Sequence, residues 1–158
     1  MEECILYIPI SKYEPGKGRF RSECMENSSD DSGLSVVSLP CVSNKASNPC
    51  DHGRAYYPNI AGDAPIFFVF VPSEIFGECS LEEVPSDSGD DCHRNLKGVS
   101  DKQAKKLMQN KLPVGNVNFS QFKICAQDGI RAITQADIDI LYQKYLDYLA
   151  TLNASGAA

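Results

Sequence analysis

The sequence has no tryptophan and no excess of positive charge: 15 Lys and Arg stand against 21 Asp and Glu, for a formal net charge of -6. A general phosphate-backbone binder needs a basic face to displace counterions, so nucleic acid is not an expected partner. Long hydrophobic runs are missing as well. The longest, residues 64–71 around Pro65, falls far short of the roughly 20 residues a membrane-spanning helix needs, and no membrane insertion is expected. Gly-X-Ser-X-Gly, Walker, Gly-X-Gly-X-X-Gly and EF-hand patterns are all absent. Elbow-type serine hydrolases, nucleotide binders and calcium sensors are therefore without their signatures, and no cofactor is expected.

What is present is the composition of a globular chain: 158 residues, 42% hydrophobic and 23% charged. That excludes wholesale disorder and fits one domain, taken as residues 1–152 with a frayed tail at 153–158. Seven cysteines are the conspicuous excess. Cys41 and Cys50 bracket one polar stretch, and Cys79 and Cys92 bracket a second, acidic one. A cysteine at each end of a turn-rich loop suits a local disulfide, so the expected pairs are Cys41–Cys50 and Cys79–Cys92. Cys4, Cys24 and Cys125 are left over. Sequons at Asn27, Asn118 and Asn153 agree with an extracellular or other oxidising compartment. Met1-Glu2-Glu3-Cys4 shows no signal-peptide features, so this reading expects a leader outside the sequence; a cytoplasmic start with reduced thiols is the alternative.

Hydrophobic patterning predicts an α+β fold. It would be a single domain with a mainly antiparallel sheet of four or five strands, two helices packed on one face and disulfide-stapled loops. Residues 4–10 read as a strand pushed to a sheet edge by Pro9, 19–24 as a short strand and 34–42 as a third. Residues 43–62 read as a long irregular connection. Residues 65–71, apolar on both faces, belong at the centre of the sheet. A short helical turn is expected at 73–76, a helix over 101–110 behind the Ser100–Gln103 capping box, and a bulged strand over 117–124. The clearest element is a helix over 135–152. Thr134 and Asp137 cap it, Ile133 and Ile138 form its staple, and Ile138, Leu141, Tyr142, Tyr145, Leu149 and Leu152 recur along one face.

Both histidines adjoin cysteines. Cys50, His52, Cys92 and His93 offer the ligand types of a zinc site, but Cys-X-His and Cys-His are poor chelating spacings, so zinc belongs to an alternative reading only. A thiol-dependent hydrolase, which would need an activated cysteine near His52 or His93, comes third because no cysteine precedes a convincing helix. Residues 74–91 hold seven acids and no base, while residues 94–111 are basic. The plainer reading is internal compensation; the functional one is a bipolar surface that steers a partner. Tyr56 and Tyr57 in a tied loop, the basic-aromatic trio Arg19, Phe20 and Arg21, and the acids Asp87, Asp90 and Asp91 are the candidate contact residues. Small, cysteine-stapled and without catalytic motif, the profile is similar to that of secreted effectors and inhibitors. The expectation is a secreted protein-binding module acting without catalysis, its partner another protein. A reduced intracellular or viral accessory protein, zinc-stabilised, is the alternative.

Overall fold

A computed structural model describes residues 1–20, 33–58, 66–99 and 122–154. The expected helix over 101–110, the first part of the strand over 117–124, Arg21, Cys24 and the sequons at Asn27 and Asn118 lie outside them. The sheet strands are β1 (Cys4–Ile8), β4 (Leu34–Ser38), β5 (Ile66–Phe70), β6 (Ser80–Glu83), β7 (His93–Lys97), β8 (Phe122–Ala126) and β9 (Gly129–Ala132). Among the described residues they form one seven-stranded sheet in the order β6-β7-β4-β1-β5-β8-β9, and every pairing is antiparallel. A separate two-stranded ribbon joins β2 (Tyr13–Glu14) to β3 (Arg19–Phe20). The α+β class and antiparallel sheet hold, but the sheet is larger than four or five strands.

The position of β1 corrects the sequence reading. It lies between β4 and β5, not at an edge. Pro9 follows the last strand residue, Ile8, so its missing N–H falls outside the ladder, and the chain turns there into a 3-10 turn over Ile10–Lys12. β5 is central, as its two-sided apolar run requires, with Leu6 opposite Phe68 and Phe68 opposite Phe122. The chain enters β4 through Gly33 at φ +109°, where a Cβ would stand 2.6 Å from the Leu96 carbonyl oxygen.

Alternation along the strands sends side chains to two cores. One face carries Leu6, Ile8, Val36, Phe68, Phe70, Leu96, Phe122 and Ile124, covered by Tyr13, Phe20, Phe76 and Ile138. The other carries Ile5, Tyr7, Val37 and Phe67, covered by Val42 and Cys50. The covering helices thus lie on both faces: α1 (Leu39–Asn44) and α2 (Pro49–Tyr56) on the second, α3 (Pro72–Phe76) and the start of α4 (Gln135–Ala154) on the first. Of the two helices expected on one face, that over 101–110 lies outside the described residues; the start of α4 packs on the first face.

α1 replaces the end of the strand expected over 34–42, which stops at Ser38, and α2 replaces chain that reads in sequence as irregular. Each has a proline in its first turn and a capping side chain before it: Ser38 Oγ accepts from the Cys41 amide at 3.3 Å, and Asn48 Oδ1 from the Asp51 amide at 3.0 Å. α4 begins as its sequence predicts. The Asp137 carboxylate accepts from the Thr134 amide and hydroxyl, and Thr134 Oγ1 accepts from the Asp137 amide. Ile133 and Ile138 are both buried.

Beyond that first turn the stripe of α4 is less covered than its pattern suggests. Ile138 is the buried residue of the helix, Leu141 and Tyr142 are half-buried, and Tyr148 and Leu152 are 59% and 40% exposed. Most of the anchoring therefore rests on Ile138. Ile138→Ala is expected to cost about 2–5 kcal/mol, Leu141→Ala less, and Tyr148→Ala or Lys144→Ala little. Thermal melts of the four variants check the order.

Candidate functional site

The disulfides explain how the α1–α2 face is fixed. Cys41 of α1 joins Cys92, just before β7, and Cys50 of α2 joins Cys125 of β8, with Cα separations of 5.5 and 5.8 Å. The expected pairs Cys41–Cys50 and Cys79–Cys92 are therefore corrected. Residues 41–50 are not a slack loop needing its ends tied. They run through two capped helices whose cysteines meet Cys92, just before β7, and Cys125 of β8. Cys79 is a free, half-buried thiol and Cys4 a buried one. Burial, with the Glu2 carboxylate nearby, pushes the Cys4 thiol up to about 12, so it remains a neutral core residue.

Between the two cross-links lies a buried polar cluster. Asp90 has no exposed surface, and His52 is 3% exposed. His52 Nε2 donates to Asp90 Oδ2 at 2.9 Å, the Tyr57 hydroxyl donates to the same oxygen at 2.5 Å, and the Cys92 amide donates to Oδ1 at 2.9 Å. A tight turn presents the acid: the Gly89 amide donates to the Ser86 carbonyl and the Asp90 amide to Ser86 Oγ. Tyr7, whose ring centroid is 5.4 Å from that of Tyr57, donates its hydroxyl to the Pro49 carbonyl at 2.8 Å. Burial pushes the Asp90 carboxyl up, but the bonds from His52, Tyr57 and Cys92 outweigh it and hold it below its ordinary value. Tyr57 is pushed well up, by burial first and then by its bond to Asp90.

A carboxylate bonded to an imidazole and a phenol has the groups of an acid–base site. Here all three bonds to the carboxylate come from the protein, and neither Asp90 nor His52 reaches the surface. What the cluster does is pin the end of α2 to the turn before β7. His93 is similarly engaged. Its Nδ1 donates to the Val84 carbonyl at 2.6 Å, and in the neutral ring Nε2 accepts from Ser35 Oγ at 2.7 Å.

The alternative ligand set of Cys50, His52, Cys92 and His93 is not brought together, because both sulfurs are in disulfides with other partners and both rings are hydrogen-bonded elsewhere. Among the described residues the group with metal-ligand spacing is Cys41, Asp91 and Cys92. Its sulfurs are bonded to each other, and its carboxylate pairs with Lys45.

The expected contact residues are scattered. Phe20 is fully buried against Tyr13, with ring centroids 5.3 Å apart, because the β2–β3 ribbon folds it into the core. Asp90 is buried for the reason just given. Neither offers a contact surface. Tyr56 is half-buried, its ring centroid 4.8 Å from that of His52 and tilted 40° to it, while Asp87 and Asp91 are exposed. The backbone of Arg19 belongs to β3, and Arg21 lies outside the described residues. The described part of the acidic–basic contrast is internally compensated: Arg94 lies 3.7 Å from Glu83 and 3.8 Å from Glu2, and Lys97 pairs with Glu82.

Sequence reasoning missed the His52–Asp90–Tyr57 cluster because its members are far apart in the chain and no local spacing marks them. It also missed the partial exposure of the outer turns of α4, where Leu146, Tyr148 and Leu152 are 40%, 59% and 40% exposed. No helix of the described residues is long and apolar enough to cross a membrane. No family model, curated protein or solved structure matches the chain.

The electrostatics of the α4 start set an acid limit. The Arg131 guanidinium, bonded to both Asp137 oxygens at 2.5 and 2.7 Å, outweighs burial and, with Thr134, holds the Asp137 carboxyl down from 3.8 to about 2. A depressed carboxylate contributes stability that is complete above its unfolded value and lost as pH falls through the folded one. Asp137→Asn is therefore expected to lower the melting temperature at neutral pH. The gap from the parent protein should close as pH falls from 3.8 toward 2. A gap that stayed constant across that range would contradict the assignment.

Proposed function

We propose that the chain is a secreted protein-binding module that acts without catalysis, of the effector or inhibitor type. The observation that carries this reading is the outer part of α4. Tyr148 and Leu152, four residues apart on one side of the helix, are 59% and 40% exposed there, next to half-buried Tyr145 and Leu149. Contiguous exposed apolar side chains, tyrosine above all, mark contact surfaces rather than ordinary solvated helix faces. Two further observations support it. Among the described residues the cluster with acid–base groups, His52, Asp90 and Tyr57, is bonded within the fold, with His52 and Asp90 buried. Two long-range disulfides are compatible with an oxidising compartment.

On this reading α4 takes over the contact role first expected of the tied loops, with exposed Asp87 and Asp91 and half-buried Tyr56 at a distance from it in sequence. The test is a binding screen of the oxidised protein against a panel of extracellular domains, repeated with Tyr148→Asp combined with Leu152→Asp. Saturable binding that the double variant loses, while its melting temperature holds, is the expected result. Binding left intact by the double variant would remove α4 from the reading.

A further inference from the structure

A second feature of the surface has a chemistry of its own. Between α2, the turn joining β8 to β9 and the first turns of α4 runs an open groove of about 500 Å³, a volume in the range of ligand-sized sites. Its apolar lining comes from Ile124, Ile140 and Leu141, and its cations are Arg54 and Lys144. Ile140 is 58% exposed and Leu141 half-buried, while Ile124 is buried at the base.

The charges of the groove are unequally committed. Its carboxylate, Asp137, is engaged by Arg131 through both oxygens and by Thr134. Among the described residues the Arg54 guanidinium makes a single long contact, 3.5 Å to the exposed Asp51, which leaves most of its five donors for planar, bidentate recognition. Lys144 is exposed and has no hydrogen bond or ion pair among the described residues. Two available cations therefore border an apolar floor on a chain whose net charge is -6. A partner approaching any average part of this surface needs positive charge; a partner for the groove needs negative charge.

We propose that this groove docks an extended segment of a partner protein in which acidic and aliphatic side chains alternate. The acids would meet Arg54 and Lys144, and the aliphatic groups would rest on Ile124, Ile140 and Leu141. The inference rests on the protein-binding reading above and deepens it by naming the chemistry of the partner. Charge complementarity chooses this occupant: a basic peptide would meet Lys144 and an Arg54 held only by its long contact to Asp51, and a purely apolar one would bury both cations without adding a counter-charge.

Fluorescence anisotropy with a fluorescein-labelled peptide of alternating Glu and Leu tests it, with the Lys and Leu counterpart as the control probe. The Glu–Leu peptide is expected to bind saturably, less tightly at high salt, and the Lys–Leu peptide not to bind. Arg54→Glu combined with Lys144→Glu is expected to weaken the Glu–Leu peptide by about tenfold or more. Both side chains are exposed, so the melting temperature should hold and the loss can be read as recognition. Absence of saturable Glu–Leu binding, or binding unaffected by the double charge reversal, would overturn the groove assignment. Binding lost instead in the Tyr148→Asp and Leu152→Asp variant would also overturn it, while leaving the outer turns of α4 as the contact surface. The extracellular-domain screen judges that broader reading separately.

Discussion

Serine in place of all four disulfide cysteines, Cys41, Cys92, Cys50 and Cys125, is expected to leave the chain unfolded or nearly so. The cross-links span 51 and 75 residues of sequence. On the chain-entropy estimate, closures of that length contribute roughly 4 kcal/mol each through the restricted unfolded state. A domain of this size has about 5–15 kcal/mol of net stability, so losing both removes most or all of it. Opening one at a time, by Cys41→Ser with Cys92→Ser or by Cys50→Ser with Cys125→Ser, should lower the melting temperature strongly by similar amounts. Peptide mapping without reductant supplies the independent check: fragments joining Cys41 to Cys92 and Cys50 to Cys125 are expected. A fragment joining Cys41 to Cys50 would sink the arrangement, and with it the account of how α1 and α2 are held.

Asp90→Ala is the second large effect. The substitution strips the acceptor from His52 Nε2, from the Tyr57 hydroxyl and from the Cys92 amide at once. Leaving buried partners of a charged group uncompensated costs about 3–5 kcal/mol, because each has given up water and regains nothing. Asp91→Ala, one residue along, removes an exposed carboxylate whose partner Lys45 is itself at the surface, and should change little. The pair of variants controls for chain position and for the loss of one negative charge. Equal melting temperatures for the two would mean that Asp90 is not the buried hub described. If Asp90→Ala instead lost stability and Asp90→Asn regained part of it, hydrogen bonding and not charge would be the larger contribution.

The two predictions differ in how far they could be read from sequence. That cysteines staple the chain was visible in their number, but which cysteines meet was not. The pairing depends on α1 and α2 lying across the face of the sheet. Their only local signals, Ser38 before Pro40 and Asn48 before Pro49, come without the apolar periodicity that marks a helix. Asp90 looks like one more acid in an exposed run. Nothing in Ser86-Asp87-Ser88-Gly89-Asp90-Asp91 distinguishes the carboxylate that turns inward from its neighbours. The turn closed by Ser86 and Gly89, with His52 arriving from elsewhere in the chain, makes that distinction. β7 was hidden for a related reason: His93-Arg-Asn-Leu-Lys97 is polar, yet flanked by β4 and β6 it is a strand with four of its five residues buried.

What the sequence by itself determined is what depends on contacts a few residues apart. The start of α4 follows from Thr134, Asp137, Ile133 and Ile138, and the central place of β5 from an apolar run that suits no exposed edge. These are local geometries, chosen by backbone preference and capping before any distant segment arrives. The tertiary structure alone decided the partners: which sulfur meets which, which acid is buried, which strand flanks β1, and how much of the α4 stripe is covered. Amphipathicity states that a face is apolar, and the same stripe serves a core or a contact surface. Only the placement of the neighbouring elements says where the core stops, after Ile138 and its half-buried neighbours, and where an open apolar surface begins.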